Sequence, residues 1–430
     1  MKKPNIIYYH SHDTGRYMQP YGYDVPTPAI QRLAEEGVVF RQAFCAAPTC
    51  SPSRAALFTG KAPHSNGMLG LAHKGFSLND YSQTLVSSLN EGGYRTVLCG
   101  GQHLVSAPDV STLGYQEILA TERIPSAAHA SLNAVDWLRK HDFDKPFFLD
   151  VGAFETHRYQ GIGAVEGAYH PEGPQGDGRY VRPPESIPDT PEARADWADF
   201  REAAKRFDNG LDEIYRELKQ REQLDNTIII VTTDHGPPLP GMKCNLKDSG
   251  LQVALIMRGP GGFRGGKVEA GLVSQVDILP TLLEMAGLSA SESIQGKSLL
   301  PLIQEGKPIR DAVFGEINYH GSYNPQRCIR TESHKLILRY EGSDREAVLR
   351  NCDASAVKTL FINAGWVAGE PATLEFYNLL LDPQEACNLA LHPESSPVIE
   401  ELGNRLDHWM KQTADPLLFG PIADPQSCRS

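Results

Sequence analysis

The amino-acid sequence predicts an α/β protein with a large mixed, mostly parallel sheet flanked by helices, followed by a smaller α+β subdomain built on an antiparallel sheet. Two observations carry this prediction. Up to about residue 310, short β-prone apolar runs alternate with amphipathic helical stretches, which is typical of a parallel sheet. Beyond that point, short strand-like runs follow one another with only turns between them, which favours antiparallel hairpins. We therefore predict one α/β domain over 1–310 and a smaller domain over 311–430.

The first third of the chain alternates strand and helix signals. An apolar run at 6–9 predicts the first strand. Thr27 and Pro28 provide a helix start, and Gly37 ends that helix before a second strand at 38–40. By the same signals we expect further helices beginning near Cys50, over 82–90 and over 127–141, and further strands over 94–98 and 146–151.

The middle of the chain contains the strongest helix and strand signals. Residues 190–192 (Thr-Pro-Glu) form a helix-capping signature, and apolar residues at helical spacing continue from it to Leu218. The run over 227–233 is β-branched throughout, so we expect a central strand that is buried on both faces. The stretch 158–190 is rich in Gly and Pro and lacks periodicity, and we interpret it as a substrate-facing loop. A strand over 253–257 and a helix over 277–286 are expected next.

The C-terminal part of the chain has a different pattern of apolar and turn residues. Its apolar runs are short and separated by turn residues, so we expect the strands of a small antiparallel sheet. A final amphipathic helix is predicted over 396–412. The expected strands of the small sheet lie at 312–314, 328–331, 335–338 and 376–381.

Composition and charge exclude several classes of function. A net charge of −12 argues against nucleic acid as a partner, and no apolar run approaches the roughly 20 residues that span a bilayer. The first residues enter a strand without an apolar signal region, which predicts a cytoplasmic protein, or a periplasmic or secreted one if a signal was removed. Eight cysteines without CxxC pairs indicate neither a zinc ribbon nor a disulfide scaffold, and a reducing compartment fits them best.

Polar side chains follow several of the expected strands. His12 and Asp13, with Arg16 close behind them, come after the first strand, and Asp234 and His235 come after the strand at 227–233. Because ligands bind at the carboxyl ends of strands in open α/β sheets, we expect these side chains to converge. Asp13 and Asp234 are suitable oxygen donors for a hard divalent cation. Three further candidates with the same placement are His103, His157 and Lys243.

Cys50 stands where a loop meets a helix. Pro52 fits a first helical turn, so Cys50 lies at or just before the helix N-terminus, where the backbone N–H groups are partly positive. Arg54, one turn further along, adds a full positive charge. Such an environment holds an anion or depresses the pKa of a thiol. We therefore expect an anionic group to bind next to Cys50.

The residues around Cys50 resemble the sulfatase signature. The match consists of Cys-x-Pro-Ser-Arg at 50–54, Leu-x-Thr-Gly at 57–60, His64, and Asn-Gly-Met at 66–68. Residues 376–385 and 388–390 match another pattern of that family, so the resemblance covers most of the chain. Within the family, the sequence is most similar to the heparan N-sulfatases, or sulfamidases. That similarity rests on residues 50–55, 66–71, 190–196 and 234–240.

The resemblance implies an alkaline-phosphatase-like fold and a set of roles. In the family, the cysteine corresponding to Cys50 is converted to formylglycine by a formylglycine-generating enzyme. One divalent metal ion, usually Ca²⁺, lies beside it, and Mn²⁺, Zn²⁺ or Fe²⁺ would suit the two imidazoles found here better. The implied metal ligands are His12, Asp13, Cys50, Asp234 and His235. The implied catalytic residues are Cys50, Arg54, His103 as the base, His157 as the general acid and Lys243 as its electrostatic partner, and the implied substrate contacts are Arg16, His157 and Lys243.

Two residues depart from the family pattern, and for that reason the family resemblance does not decide the substrate. His12 stands where the family has an aspartate, and Gly101 stands where it has a lysine. We predict a sulfatase that hydrolyses a sulfate ester or a sulfamate on a small sulfated carbohydrate, such as an amino sugar or a glycosaminoglycan fragment. The alternatives are a phosphonate monoester or phosphodiester hydrolase of the same superfamily, and an inactive protein that binds sugar sulfates. The sequence does not indicate an oligomeric state.

Overall fold

The computed structural model describes residues 3–119, 122, 124–159, 165–366 and 368–424. Its strands form two sheets, one with eight strands and one with four. The larger sheet is mixed and mostly parallel, and the smaller one is antiparallel, so the predicted fold class is confirmed. The predicted division of the chain into domains at residue 310 stays a prediction. Residues of both sheets belong to one hydrophobic core.

The large sheet has the strand order β4-β3-β5-β1-β6-β7-β2-β8. β1 pairs in parallel with β5 and β6, and only β7 runs antiparallel to its neighbours, β6 and β2. The strands are β1 (Asn5–Ser11), β2 (Val38–Phe44), β3 (Arg95–Leu98), β4 (Glu117–Ile118), β5 (Phe147–Gly152), β6 (Thr227–Thr233), β7 (Leu255–Arg258) and β8 (Lys267–Ser274).

Helices cover both faces of the large sheet. Most begin as the sequence predicts, with a capping side chain or a proline in the first turn; Thr190, for example, accepts a hydrogen bond from the N–H of Ala193. The helices are α1 (Pro28–Glu36), α2 (Cys50–Thr59), α3 (Pro63–Asn66), α4 (Leu85–Glu91), α5 (Ala127–Lys140), α6 (Pro191–Gln220), α7 (Asp248–Leu251), α8 (Ile278–Met285), α9 (Leu300–Glu305), α10 (Arg345–Asn351), α11 (Ala356–Asn363) and α12 (Ser396–Gln412).

The central strands are buried on both faces, as their sequences predict. In β6, Ile228 and Ile230 belong to one hydrophobic core, whereas Ile229 and Val231 belong to the core on the opposite face. Successive side chains of a strand point to opposite faces, so a strand covered on both sides must be apolar throughout. This is why the β-branched run identified a central position in the sheet.

The small sheet lies next to the large one and has the order β12-β11-β10-β9. α12 packs on this sheet through Leu402, Leu406 and Met410. Three of its strands, β9, β10 and β11, are longer than predicted, because polar residues continue the pairing beyond the apolar runs. The sequence analysis did not predict two strands of the large sheet, β4 and β8, or five of the helices: α3, α7, α9, α10 and α11. The strands are β9 (Ala312–Tyr319), β10 (Tyr323–Thr331), β11 (His334–Arg339) and β12 (Leu374–Asn378).

Within the described ranges, no helix is both long enough and apolar enough to cross a membrane. The stretch interpreted as a substrate-facing loop is irregular apart from a short 3₁₀ turn at Gly178–Tyr180. Residues 160–164 of that stretch lie outside the described residues. Whether the loop faces the substrate stays a prediction.

Candidate active site

Two neighbouring strands deliver the first four site residues to one edge of the large sheet. Ser11 at the end of β1 is paired with Thr233 at the end of β6, so the chains that follow them leave the sheet side by side. The backbone N–H of Asp13 donates a hydrogen bond to Asp234 Oδ1 at 2.8 Å. Asp13 itself has a φ of 55°, a left-handed conformation that turns the chain at this point. The turn allows both His12 and Asp13 to face the same cluster.

Asp13 is a fully buried carboxylate of the site that several cationic side chains surround. Its Oδ2 accepts a hydrogen bond from Lys243 Nζ at 2.9 Å and lies 2.8 Å from His157 Nδ1. Its Oδ1 lies 3.4 Å from His235 Nε2. Burial alone would raise the pKa of this carboxyl group, but Lys243, His157 and His235 hold it well below its usual value. Asp13 therefore stays ionised inside the protein.

Cys50 is the first residue of α2 and is buried. Its Sγ lies 3.4 Å from His235 Nε2, whose ring places Nδ1 3.0 Å from the carbonyl oxygen of Gly236. Burial alone would raise the pKa of the Cys50 thiol. Lys243, together with hydrogen bonds from neighbouring histidines, instead lowers it well below the usual value. The expectation of an anionic group at the N-terminus of this helix therefore agrees with the local electrostatics.

Arg54 connects α2 to the two strand ends. Its Nη2 donates hydrogen bonds to Asp234 Oδ2 at 3.0 Å and to the Ser11 carbonyl oxygen at 3.2 Å. Its Nη1 lies 2.5 Å from His10 Nδ1. Burial, and then the charge of Arg54, lowers the pKa of His10 to about 4, so the ring is neutral and can accept this hydrogen bond. His10 is held in turn by Asp150, 2.7 Å from its Nε2, and was not among the predicted site residues.

Three further imidazoles line the cluster. The ring of His12 stacks on that of His157 with centroids 5.3 Å apart, and it contacts the ring of His103 edge-on at 4.5 Å. The Nδ1 atom of each of these three rings is buried and makes no hydrogen bond of good geometry with the described residues, although Nδ1 of His12 lies 3.0 Å from Asp234 Oδ2 and Nδ1 of His157 lies 2.8 Å from Asp13 Oδ2. Burial, followed by the charge of His12, lowers the pKa of His103 to about 4. His103 is therefore a neutral base beside Cys50.

The donor set fits a divalent cation. Ligand atoms of His12, Asp13, Cys50 and Asp234 all lie within 4.8 Å of one another. Two of the atoms in this group, His12 Nδ1 and Asp13 Oδ1, are buried and make no hydrogen bond of good geometry with the described residues, although His12 Nδ1 lies 3.0 Å from Asp234 Oδ2 and Asp13 Oδ1 lies 3.4 Å from His235 Nε2. Buried polar atoms are normally paired, so unpaired donors that converge on two carboxylates indicate a position for an ion. His235 lies next to the same position, and its Nε2 atom is 3.8 Å from Asp234 Oδ2.

Besides His10, two residues of the site were missed by the sequence analysis. Asp353 reaches the site from the segment between α10 and α11, and its Oδ2 accepts a hydrogen bond from Lys243 Nζ at 2.9 Å. His320, in the turn between β9 and β10, has a pKa lowered to about 4 by burial and then by Lys243. Both come from the C-terminal part of the chain, where no motif surrounds them. Only the three-dimensional structure shows that both lie near Lys243.

Arg16 is the one predicted site residue that the structure does not bring to the cluster. Its guanidinium lies over the ring of Tyr23, 5.7 Å from the centroid, and it lines a separate cleft with Glu185 and Glu385. The left-handed turn continues through Gly15, whose φ is 60°, and carries the chain away from Cys50. The prediction that Arg16 contacts the substrate therefore has no support from its contacts.

Comparison with known proteins identifies the chain's relatives. Residues 4–288 match the family model described as Sulfatase, and residues 243–364 match the model described as N-sulphoglucosamine sulphohydrolase, C-terminal. The chain is 29% identical to N-sulphoglucosamine sulphohydrolase of Homo sapiens over 447 residues, covering 92% of this chain and 88% of the relative. It is 31% identical to an ulvan-active sulfatase of Formosa agariphila over 438 residues, covering 99% of this chain and 83% of the relative.

A solved structure supports the same fold. It is described as a complex with its substrate D-glucosamine-2-N,6-O-disulfate, and it superposes on this chain with a TM-score of 0.71. The alignment covers 98% of this chain and 99% of the other, at 21% sequence identity. At that identity the likeness establishes the architecture and not the substrate.

Proposed function

The chain belongs to the sulfatase family and is a sulfuric ester hydrolase, and from this premise we propose that it removes sulfate from a sulfated sugar. The substrate is a sulfate ester or a sulfamate on an amino sugar or a glycosaminoglycan fragment. The observation that carries the proposal is the convergence of Cys50 with two buried carboxylates, Asp13 and Asp234, and two buried cations, Arg54 and Lys243. The names of the human relative and of the ligand in the solved complex support an amino sugar as the substrate.

A divalent metal ion is part of the proposed enzyme. Asp13 and Asp234 would hold it through oxygen, and His12 and His235 are placed to contribute nitrogen. When bound, the ion supplies a positive charge that polarises the sulfate group and favours an ionised nucleophile. The imidazoles favour Mn²⁺ or Zn²⁺, and the family resemblance favours Ca²⁺. Without an ion, burial lowers the pKa of His235, but Asp234 and Asp13 raise it to about 9, so a proton supplies the positive charge that the carboxylates attract.

Cys50 is proposed to be matured to formylglycine by a formylglycine-generating enzyme. As an aldehyde hydrate, this residue supplies one hydroxyl to attack sulfur and a second hydroxyl through which sulfate can be expelled. The chain's own residues prepare this position. The N-terminus of α2 and Arg54 place positive charge around the anion, and Arg54 is itself fixed by Asp234 and His10.

Proton transfers are assigned to the histidines. His157, whose Nδ1 lies beside Asp13, is proposed to protonate the leaving atom, with Lys243 stabilising the charge that develops there. His103 is proposed to take the proton whose loss expels sulfate, and its low pKa means that it is neutral before the reaction. Each group lies on the rim of the same cluster, so no large movement is needed between the two steps.

Two alternatives remain testable. A phosphonate monoester or phosphodiester hydrolase would use the same cluster, because such substrates and sulfate esters both present a monoanion to the site. An inactive sugar-sulfate binder would explain His12 and Gly101, but it would not need the complete set Cys50, Arg54, Asp234, His157 and Lys243. Retention of that set in one cluster favours an enzyme.

The test compares substrates on one preparation. The protein is produced together with a formylglycine-generating enzyme, and release of sulfate is measured from glucosamine N-sulfate, glucosamine 6-sulfate and 4-nitrophenyl sulfate. Release of a phosphonate from its phenyl monoester is measured in parallel. We expect kcat/KM to be highest for one of the sulfated sugars. A higher kcat/KM for the phosphonate monoester would favour the first alternative, and binding without turnover of any substrate would favour the second.

A further inference from the structure

We propose that Asp150 and His10 are positioning residues that hold the Arg54 guanidinium in place for the anion at Cys50. Asp150 decides which nitrogen of the His10 ring carries the proton, and the other nitrogen then accepts a hydrogen bond from Arg54. The inference rests on the proposed function, since it concerns the positive charge that stabilises the sulfate group in the same site. It extends the site to residues inside the large sheet.

Four buried side chains form a continuous series of hydrogen bonds. Arg54 Nη1 lies 2.5 Å from His10 Nδ1, and His10 Nε2 lies 2.7 Å from Asp150 Oδ1. The hydroxyl group of Tyr115 donates a hydrogen bond to the other carboxylate oxygen, Asp150 Oδ2. None of the four residues is more than 8% exposed. The series therefore runs from α2 across β1 and β5 to the segment before β4, away from bulk water.

The chemistry of these groups allows one arrangement of protons. A guanidinium group has N–H donors and no acceptor, so His10 Nδ1 must accept the hydrogen bond from Arg54 and carries no hydrogen. A neutral imidazole has one N–H group, which in His10 is therefore on Nε2, where it donates to Asp150. Each hydrogen bond of the series then has one donor and one acceptor, provided that residue 150 accepts from His10.

The fold leaves the His10 ring little freedom to adjust. Strand pairing places Asp150 beside Tyr8 and Gly152 beside His10. The Tyr8 ring stacks on the His10 ring with centroids 4.4 Å apart. Gly152 provides the space for that ring, because a Cβ atom at this position would lie 2.5 Å from His10 Cε1. A wrong proton position on His10 can therefore not be relieved by a large rotation of the ring.

Arg54 depends on His10 for part of its orientation. Its Nη2 donates to the Ser11 carbonyl oxygen and to Asp234 Oδ2, whereas its Nη1 has His10 as partner. Its Nε is buried and makes no hydrogen bond with the described residues, so it remains a donor for an anion. The guanidinium is a planar, rigid group, so loss of the Nη1 partner lets the whole plane move. A displacement of about 1 Å in such a group can lower a rate by about 100-fold.

The main experiment is a double-mutant cycle on kcat/KM for sulfate release, with activities expressed per converted Cys50. Asp150→Asn keeps the shape of the side chain, but its amide can donate to His10 Nε2 and so put the ring proton on Nδ1, facing Arg54. We expect a loss of about 100-fold. In an Arg54→Met background, the same substitution should change kcat/KM by less than about twofold, because Asp150 acts through Arg54. Equal losses in the two backgrounds would overturn the inference.

The matched control for this cycle is Asp208→Asn. Asp208 is as buried as Asp150, at 2% exposure, but its oxygens accept hydrogen bonds from the backbone N–H groups of Ala29 and Ile30. Its substitution should leave the activity per folded molecule at the wild-type level. If the wild type releases sulfate and Asp150→Asn is as active as this control, the inference fails and the proposed function stands. If the wild type releases sulfate from no substrate, both fail.

A second comparison keeps both Arg54 and Asp150. His10→Asn and His10→Leu have nearly the same shape, but only asparagine offers an oxygen that can accept a hydrogen bond from Arg54 near the position of Nδ1. We expect kcat/KM of His10→Asn to be at least about tenfold higher than that of His10→Leu, the equivalent of one hydrogen bond to a charged group. Melting temperatures of both variants check the fold. If His10 only filled space in the sheet, the apolar leucine would serve at least as well, and that result would contradict the proposal.

Discussion

Two buried clusters of charged residues in this protein differ in how completely their polar side-chain atoms are hydrogen-bonded. The catalytic cluster consists of His12, Asp13, Cys50, Arg54, Asp234, His235 and Lys243. The junction cluster consists of Glu316, Asn318, Arg327 and Asp415, on and beside the small sheet. In the junction cluster, Arg327 donates from Nε and Nη2 to the two oxygens of Asp415, at 2.5 and 2.8 Å, and from Nη1 to Asn318 Oδ1 at 2.9 Å. No buried polar side-chain atom of these four residues lacks a partner among the described residues, although the neighbouring His64, whose Nδ1 pairs with Glu316 Oε2, has a buried Nε2 without one.

The hydrogen bonds of the catalytic cluster are less complete than those of the junction cluster. In the described part of the chain, His12 Nδ1 and Asp13 Oδ1 are buried and have only charged neighbours, at 3.0 and 3.4 Å, without a hydrogen bond of good geometry, and Asp13 has a left-handed backbone. Unpaired buried groups and uncommon backbone conformations cost stability, and they persist where the surrounding fold supports them for a function. The comparison indicates that the junction cluster holds the segment after α12 to the small sheet, whereas the catalytic cluster is arranged to receive an ion and an anion. Mutations should therefore separate activity from stability.

The largest effect is expected at Cys50. Cys50→Ala should reduce sulfate release by roughly 10⁴-fold or more, as is usual when a covalent nucleophile is removed. The melting temperature should change much less than the activity, because the hydrogen bonds of the thiol are made with histidines of the site and not with the hydrophobic core of the fold. Steady-state kinetics would measure the rate of sulfate release, and thermal unfolding of the same sample would measure the melting temperature. Cys328→Ala is the matched control, since Cys328 is equally buried but lies in the small sheet, and its activity per folded molecule should stay at the wild-type level.

The junction cluster should respond in the opposite way. Arg327→Met leaves Asp415 buried without its partner, and breaking a buried ion pair by removing one member costs about 3–5 kcal/mol of unfolding free energy. Urea unfolding would measure the loss, while kcat per folded molecule should be unchanged. Arg405→Met serves as the control, because Arg405 pairs with Asp311 at the surface, where the two side chains are 31% and 88% exposed. A loss of stability as large in the control as in Arg327→Met would show that the closed junction cluster has no special role.

Sequence reasoning predicted most of the fold and most of the catalytic cluster. The β-branched run of β6 identified a central strand, and the residues after β1 and β6 met as expected because the carboxyl ends of parallel strands share one edge. Arg16 follows the same strand but lies elsewhere, since the left-handed turn at Asp13 and Gly15 changes the direction of the chain. Turns of this kind depend on tertiary contacts that local sequence patterns do not encode.

Asp353 could not be predicted for a related reason. It lies 110 positions from its partner Lys243 in the chain, and no strand end or motif marks it. α10 and α11, which flank it, gave no clear periodicity in the sequence because both are short. Contacts between the C-terminal part of the chain and the large sheet decide its position, and such contacts leave no local signal.

A smaller effect is expected at His12. If His12 binds the metal, Mn²⁺ or Zn²⁺ should reactivate chelated enzyme better than Ca²⁺, and His12→Asp should shift the preference toward Ca²⁺ by at least about tenfold, which is the lower end of what even outer ligands contribute to metal affinity. Reactivation of the apoenzyme by each ion measures this preference. His12→Asn, which adds no carboxylate, should weaken binding of all three ions without favouring Ca²⁺. An unchanged preference in His12→Asp would place His12 outside the metal site.

The central claim, that the open cluster is the active site of a formylglycine-dependent sulfatase, is tested most directly at Cys50 itself. Peptide mass spectrometry would measure the fraction of Cys50 converted to the aldehyde in preparations made with different amounts of the formylglycine-generating enzyme, and sulfate release would be assayed on each preparation. We expect activity to rise in proportion to the converted fraction and to extrapolate to zero at zero conversion. Full activity in a preparation whose Cys50 is entirely unmodified would contradict the account.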